Sequence, residues 1–223
     1  MGSDKSHDSN AGMDEQPQHS VTLPAYQIAR YPLTVAEYAC FVLASHIEPG
    51  GWRTQLGKLD HPVDGVSWHD AAAYAAWLAQ LTGQPWRLPT EAEWEKAARG
   101  ANGRRYPWGN VFDSSRANTR ESSRPATTPV GAYPSGASPY DAQDMVGNVW
   151  EWTSSVFKPY PYSASDGRES ANSTESRVLR GGAWGLGVAG VARAAYRNHG
   201  LPVVLVGYVG FRVALAVAAR AGS

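Results

Sequence analysis

The chain has 223 residues, with 20 basic and 20 acidic side chains and a formal net charge of zero. That length is enough for one large domain with a good core. The charge balance argues against a nucleic-acid partner, whose phosphates Lys and Arg would have to neutralise. No apolar run reaches the length of a membrane span and none resembles a leader core, so no membrane partner is expected and nothing in the chain exports or anchors it.

In chain order, Met1–Gln18 is polar and rich in Gly, Ser, Asp and His, and reads as a flexible or expression-derived tail outside the fold. Residues 19–220 then read as a single domain. His19–Ile28 alternates modestly and predicts an entry strand. Thr34 with Glu37 makes a capping box for a helix over Val35–Ser45. The one cysteine, Cys40, excludes a disulfide framework and a Cys-rich zinc site. Within the apolar run Tyr38–Leu43 it reads as a small buried thiol. A loop around Pro49–Gly51 precedes a second helix from about Ser67 to Thr82, stopped by Gly83. Thr90 and Glu93 make another capping box, for a short helix over Glu91–Arg99 closed by Gly100. Residues 102–140 are dense in Gly, Pro, Ser and Asn, and predict loop held by aromatic anchors such as Trp108 and Tyr133. The last third reads as short strands at Asn148–Thr153, Arg177–Gly182, Ala192–Arg197 and Gly210–Val217. Two main helices followed by short antiparallel strands make an α+β domain rather than a doubly wound one. Nine Trp and eleven Tyr among 23 Gly and 15 Pro fit a loop-rich domain pinned by large side chains.

Five phrases recur in one order: Pro62-Val-Asp-Gly-Val-Ser-Trp68, Arg87-Leu-Pro-Thr-Glu-Ala-Glu-Trp-Glu95, Tyr106-Pro-Trp-Gly-Asn110, Asp144-Met-Val-Gly-Asn-Val-Trp-Glu-Trp152, and Arg180-Gly-Gly-Ala-Trp184 with Gly210-Phe-Arg212. Together they resemble the formylglycine-generating-enzyme, or sulfatase-modifying-factor, family. The resemblance implies a C-type-lectin-like fold of loop-rich α+β type. Active members of that family carry a cysteine pair after the Arg-Gly-Gly phrase that binds copper, a metal suited by soft thiolates. Here Gly185–Val191 has no thiol, and Cys40 alone forms no pair. A related branch holds iron with a separate His-rich domain. His7, His19, His46, His61, His69 and His199 show no helical ligand spacing. The reading at this point is a chain without catalytic residues, not an enzyme, with no catalytic cofactor. The resemblance also implies a structural calcium on Asp144 and Glu151, with carbonyls from Gly147 and Val149, a hard cation preferring oxygen ligands. That Glu151 merely accepts hydrogen bonds in a turn stays open.

Residues 177–213 add a second resemblance. A framework (Arg177–Trp184, Ala192–Asn198, Pro202, Val209–Val213) encloses two insets made almost wholly of Gly, Leu and Val. An Asn codon with one or both adenines replaced encodes a set that includes Gly, Val, Leu, His and Tyr. This layout resembles the variable proteins of diversity-generating retroelements. It implies a displayed, diversified ligand-binding surface of Gly185, Leu186, Gly187, Val188, Gly190, Val191, His199, Gly200, Leu201, Val203, Val204, Val206, Gly207 and Tyr208, with Trp184 and Tyr208 as anchors. Leu205 stands apart, because relatives often carry Arg there. The implied partner is a variable ligand, protein in nature, bound by a monomer. Two alternatives stay open: Val203–Val206 as a buried strand, and a divergent or catalytically silent domain of the first family with a structural role or metal-dependent oxidoreductase activity.

Overall fold

A computed structural model of the chain describes residues 1–6, 8–185 and 190–217. The first half is helical. Helix α1 (Val35–Ser45) starts at Thr34, whose hydroxyl accepts the Glu37 amide at 3.2 Å while the Glu37 carboxylate accepts the Thr34 amide at 2.8 Å. Val35, Tyr38, Phe41 and Val42 fall on one face and are buried. Cys40 falls on the opposite face and is exposed, which corrects the expectation of a buried thiol. Its place is set by helical period, which the apolar run disguised. A short helix α2 (Trp52–Gln55), unforeseen in the Gly-rich loop, leads to α3 (Trp68–Thr82). Ser67 and Asp70 cap α3 reciprocally, and Gly83 ends it in the left-handed conformation. The Tyr38 ring stacks on Tyr74 of α3, with centroids 5.7 Å apart. Helix α4 (Glu91–Arg99) is buried along its whole length around Trp94.

Two small sheets complete the domain. Strands β1 (Tyr26–Ile28) and β2 (Trp86–Arg87) flank β7 (Ala214–Ala216), all antiparallel. The second sheet has the order β5 (Asn198–Gly200), β4 (Arg177–Arg180), β3 (Trp150–Val156), β6 (Val209–Phe211). β3 and β6 run parallel, pairing Trp150 with Val209, against the expectation of antiparallel strands alone. The long excursion through β4 and β5 supplies the crossover that a parallel pair requires. Ala192–Arg197, expected as a strand, is loop, and the strand begins at Asn198. The expected strand Gly210–Val217 is instead β6 and β7, separated at Arg212 and Val213.

The first eighteen residues belong to the fold, which corrects the reading of a flexible tail. Asp8 and Glu15 are buried and hold the Arg193 guanidinium at 2.8 and 2.6 Å. The Gly2 amide donates to Glu95, and Arg99 donates back to the Gly2 carbonyl at 2.6 Å. Polar composition hid this packing, because the cations that receive these carboxylates arrive some 180 positions later. Arg180 joins the same buried region, bonded to Glu95 and 3.7 Å from Glu91, while Arg197 pairs with Glu91 at 2.7 Å.

Candidate functional site

The segment between β5 and β6 forms a surface loop over the end of the four-stranded sheet. Two turns shape it: Val204 donates to the Leu201 carbonyl at 3.0 Å, and Val209 to that of Val206 at 3.0 Å. The Trp68 amide, at the start of α3, ties down the Pro202 carbonyl at 3.1 Å, and Trp150 holds that of Tyr208 at 2.9 Å. Leu201, Val203 and Leu205 are 53%, 67% and 59% exposed. Val204, Val206 and Tyr208 are half-buried, and Val206 and Tyr208 pack on the main core. The run Val203–Val206 is therefore neither a strand nor buried.

Ring contacts lie along β3, along β5 and in the segments next to them. His199 stacks on Phe157 at 4.3 Å, Trp150 meets Tyr196 at 6.0 Å, and the Arg197 guanidinium lies 4.0 Å over Tyr160. Trp184 is half-buried and donates its amide to Asn148 at 3.2 Å. At Gly185, Gly190 and Gly207 an added Cβ would meet nothing within 4 Å, so those positions open outward. Gly200 differs. Its Cβ would stand 3.0 Å from the Trp152 ring, so it faces the core and cannot display a side chain. Val191 likewise packs against the core. Leu186, Gly187 and Val188 lie outside the described residues.

The loop also walls a cavity of about 500 Å³, through Leu205 and Gly207. The opposite wall carries Lys58, His61, Asp64 and Thr127. His61 Nδ1 sits 2.9 Å from the Thr127 hydroxyl, and burial pushes the imidazole below its ordinary pKa. Burial likewise pushes the Asp64 carboxyl up to about 6, against the opposing pull of Lys58. Pro62–Trp68 entered the sequence reading only as a phrase carrying the family resemblance, and these groups were missed. The available signal was a cluster of titratable residues inside a Gly-rich loop.

Of the four residues expected at a calcium site, the two carboxylates have other partners. Glu151 Oε2 accepts from Trp94 Nε1 at 2.8 Å and from Arg212 Nε at 2.7 Å, and Oε1 accepts from Arg212 Nη2 at 2.7 Å. Most of its acceptor capacity is filled, and a cation placed there would face a guanidinium. Asp144 accepts the Gly131 amide at 2.6 Å, and burial pushes its carboxyl up to about 6. Gly147 must be glycine, because a Cβ would come within 2.3 Å of the Asn118 carbonyl. Val149 is buried in the core. Among the described residues no group of three or more His, Cys, Asp or Glu converges as a metal site, and no helix is long and apolar enough to cross a membrane. The chemistry available at the surface is therefore that of holding a ligand: an aromatic and aliphatic wall, and a cavity with opposite charges.

A family model described as the sulfatase-modifying factor enzyme 1-like domain matches residues 1–217. Hercynine oxygenase of Mycolicibacterium thermoresistibile is 37% identical over 259 aligned residues, covering 96% of this chain and 56% of that protein. The chain thus spans about half the length of such curated relatives. The structure of PvdO from Pseudomonas aeruginosa superposes with a TM-score of 0.83 at 28% identity, over 97% of this chain and 90% of that one. The Treponema denticola variable protein 1 superposes at 0.75 with 24% identity, over 92% and 89%, a likeness of fold alone. The C-type-lectin-like α+β expectation therefore holds. The expectation of a non-enzymatic, diversified binder does not: the sequence relatives that match over nearly the whole chain are named enzymes. Exposure of the 201–205 loop is real, but exposure of small apolar residues does not distinguish a display surface from a substrate-side wall.

Proposed function

The chain belongs to the sulfatase-modifying factor enzyme 1-like family, and from that premise we propose that it is the substrate-holding domain of a metal-dependent oxidoreductase of the oxygenase kind. The observation that carries this reading is the match of 96% of the chain to hercynine oxygenase at 37% identity. The donor chemistry shapes it further. Copper would need a thiolate pair and the chain has one cysteine, exposed on α1. Iron would need convergent His or carboxylate ligands, and the described residues gather none. The residues present do not fit a redox metal, so the ligands are assigned to protein outside them, and no step is written through the metal.

What the chain's own residues supply is position and exclusion of water. The aromatic set around Phe157–His199 and Trp150–Tyr196 makes a firm wall, and the Leu201–Leu205 loop an apolar rim. Beneath them the Arg180, Arg197 and Arg212 ion pairs fix the wall to α4 and β3. Holding reactants in one geometry is itself a large part of catalysis.

Titrating the isotope-labelled chain with hercynine tests the reading. Expected are saturable shifts confined to the 199–208 face and no oxygen uptake by the chain alone with ferrous iron. Either of two results would overturn it: no perturbation of that face, or stoichiometric iron binding with oxygen uptake, which would place the metal ligands within this chain.

A further inference from the structure

The cavity beside the loop is held open by backbone rather than by a chance gap between side chains. The Gln55 amide makes three hydrogen bonds: Nε2 donates to the carbonyls of Gly50 at 2.7 Å and Asp64 at 2.9 Å, and Oε1 accepts the Asp64 amide at 3.1 Å. Gly50 donates to the Gly65 carbonyl at 2.8 Å. Gly65 has a φ of +66°, and a Cβ there would stand 2.9 Å from the Gly50 carbonyl, so this floor admits only glycine. A volume of about 500 Å³ suits a small molecule.

Two opposite charges line this space without closing into an ion pair, although Lys58 pulls on the Asp64 carboxyl from a distance. The Asp64 carboxylate, half-buried, has no hydrogen bond or ion pair among the described residues, and neither has the Lys58 ammonium at the mouth. They line one cavity yet do not pair with each other. A half-buried carboxylate without a partner is costly, so it is a place where a ligand donor gains most. A ligand bearing only a cation would satisfy Asp64 and leave Lys58 unused. One bearing only an anion would stand beside a like charge. Of the apolar lining, Leu205 is exposed and offers surface, while Val35 and Pro62 are buried behind it.

We propose that this cavity binds a small zwitterionic amino acid with an apolar side chain, its ammonium on Asp64, its carboxylate on Lys58 and its side chain against Leu205. His61 lines the same space, with Nδ1 beside the Thr127 hydroxyl and Nε2 4.0 Å from the Asp60 carboxylate. The inference goes beyond the oxygenase reading and does not need it, since it rests on the cavity alone.

The test is calorimetric titration of the full chain at pH 7.5, where Asp64 is ionised, with L-leucine and its two half-molecules, isopentylamine and 4-methylpentanoate. Expected is leucine binding at least about tenfold tighter than either half. Asp64→Asn and Lys58→Gln should each weaken leucine about tenfold or more, with Tm unchanged for Lys58→Gln and raised for Asp64→Asn, which removes a carboxylate that burial disfavours; the remote Lys96→Gln should leave binding as it is. Equal binding of leucine and isopentylamine overturns the zwitterion assignment, as does an unaffected Lys58→Gln. Absence of saturable binding up to about 10 mM overturns the site altogether. Oxygen uptake and hercynine play no part here, so failure of this site and failure of the oxygenase reading are separate results.

Discussion

Asp144 holds a carboxyl where burial opposes its charge. One backbone donor, Gly131, and the nearby Arg212 favour ionisation, but not enough, and the group titrates near 6 rather than at an ordinary carboxylate value. Because the folded pKa is raised, ionisation costs stability above pH 6, and the cost fades as pH falls toward 4. Asp144→Asn keeps an acceptor for Gly131 and a residue type that tolerates the φ of +52° seen there. It should stabilise the protein by roughly 2 kcal/mol at pH 8, with the difference closing near pH 4. Denaturant melts of both proteins across that range check this, and a constant difference would refute it. At this scale the sequence was most legible where partners sit three residues apart. Thr34 with Glu37 and Thr90 with Glu93 were read correctly as caps. The roles of Asp144 and Glu151 were not legible, because Arg212 and Trp94, which define them, lie some sixty positions away.

Among the elements, helices α1 and α4 were predicted to their ends, since period and caps both lie inside the segment. The loop from Gly200 to Tyr208 was not, because its hydrophobicity permits a buried strand or a surface loop equally. The structure alternates it, Val203 and Leu205 outward and Val206 and Tyr208 toward the core. Val203→Asp should therefore change stability by no more than about 0.5 kcal/mol. Tyr208→Asp should cost about 2 kcal/mol or more, by placing an unpaired charge against the core. Thermal melts of the pair separate a patterned loop from one exposed throughout, which would show two small effects. The cavity residues were overlooked for a related reason. Lys58, His61 and Asp64 have no periodicity, and only the return of the chain at Leu205 makes a wall opposite them.

Across the whole molecule, ion pairs tie the first residues to the last strands. Glu95 shows the balance. Burial alone would raise its carboxyl, but Arg180 and Arg99 hold it at about 2. Its depressed folded pKa means stability that is present above the ordinary carboxylate range and lost as pH falls toward 2. Arg193→Ala, which leaves Asp8 and Glu15 buried without their cation, should cost about 3–5 kcal/mol. It should also release residues 1–18 to fast amide exchange while the α1–α3 core stays protected. Unchanged protection of that segment would show the ion pairs to be incidental. None of this was legible from the N-terminal composition, which looks the same whether its carboxylates meet water or arginine.

The same long reach bears on how the protein is made. β1 finds its partner only when Ala214–Ala216 exists, Arg193 must arrive before Asp8 and Glu15 are satisfied, and β3 gains its parallel neighbour at Val209–Phe211. A ribosome that has delivered two-thirds of this chain has delivered helices with no sheet to rest on. Contacts of such sequence separation slow folding. The nascent chain must therefore wait, with Trp- and Tyr-rich surface uncovered, until residues 193–216 emerge, and the domain closes late and all at once.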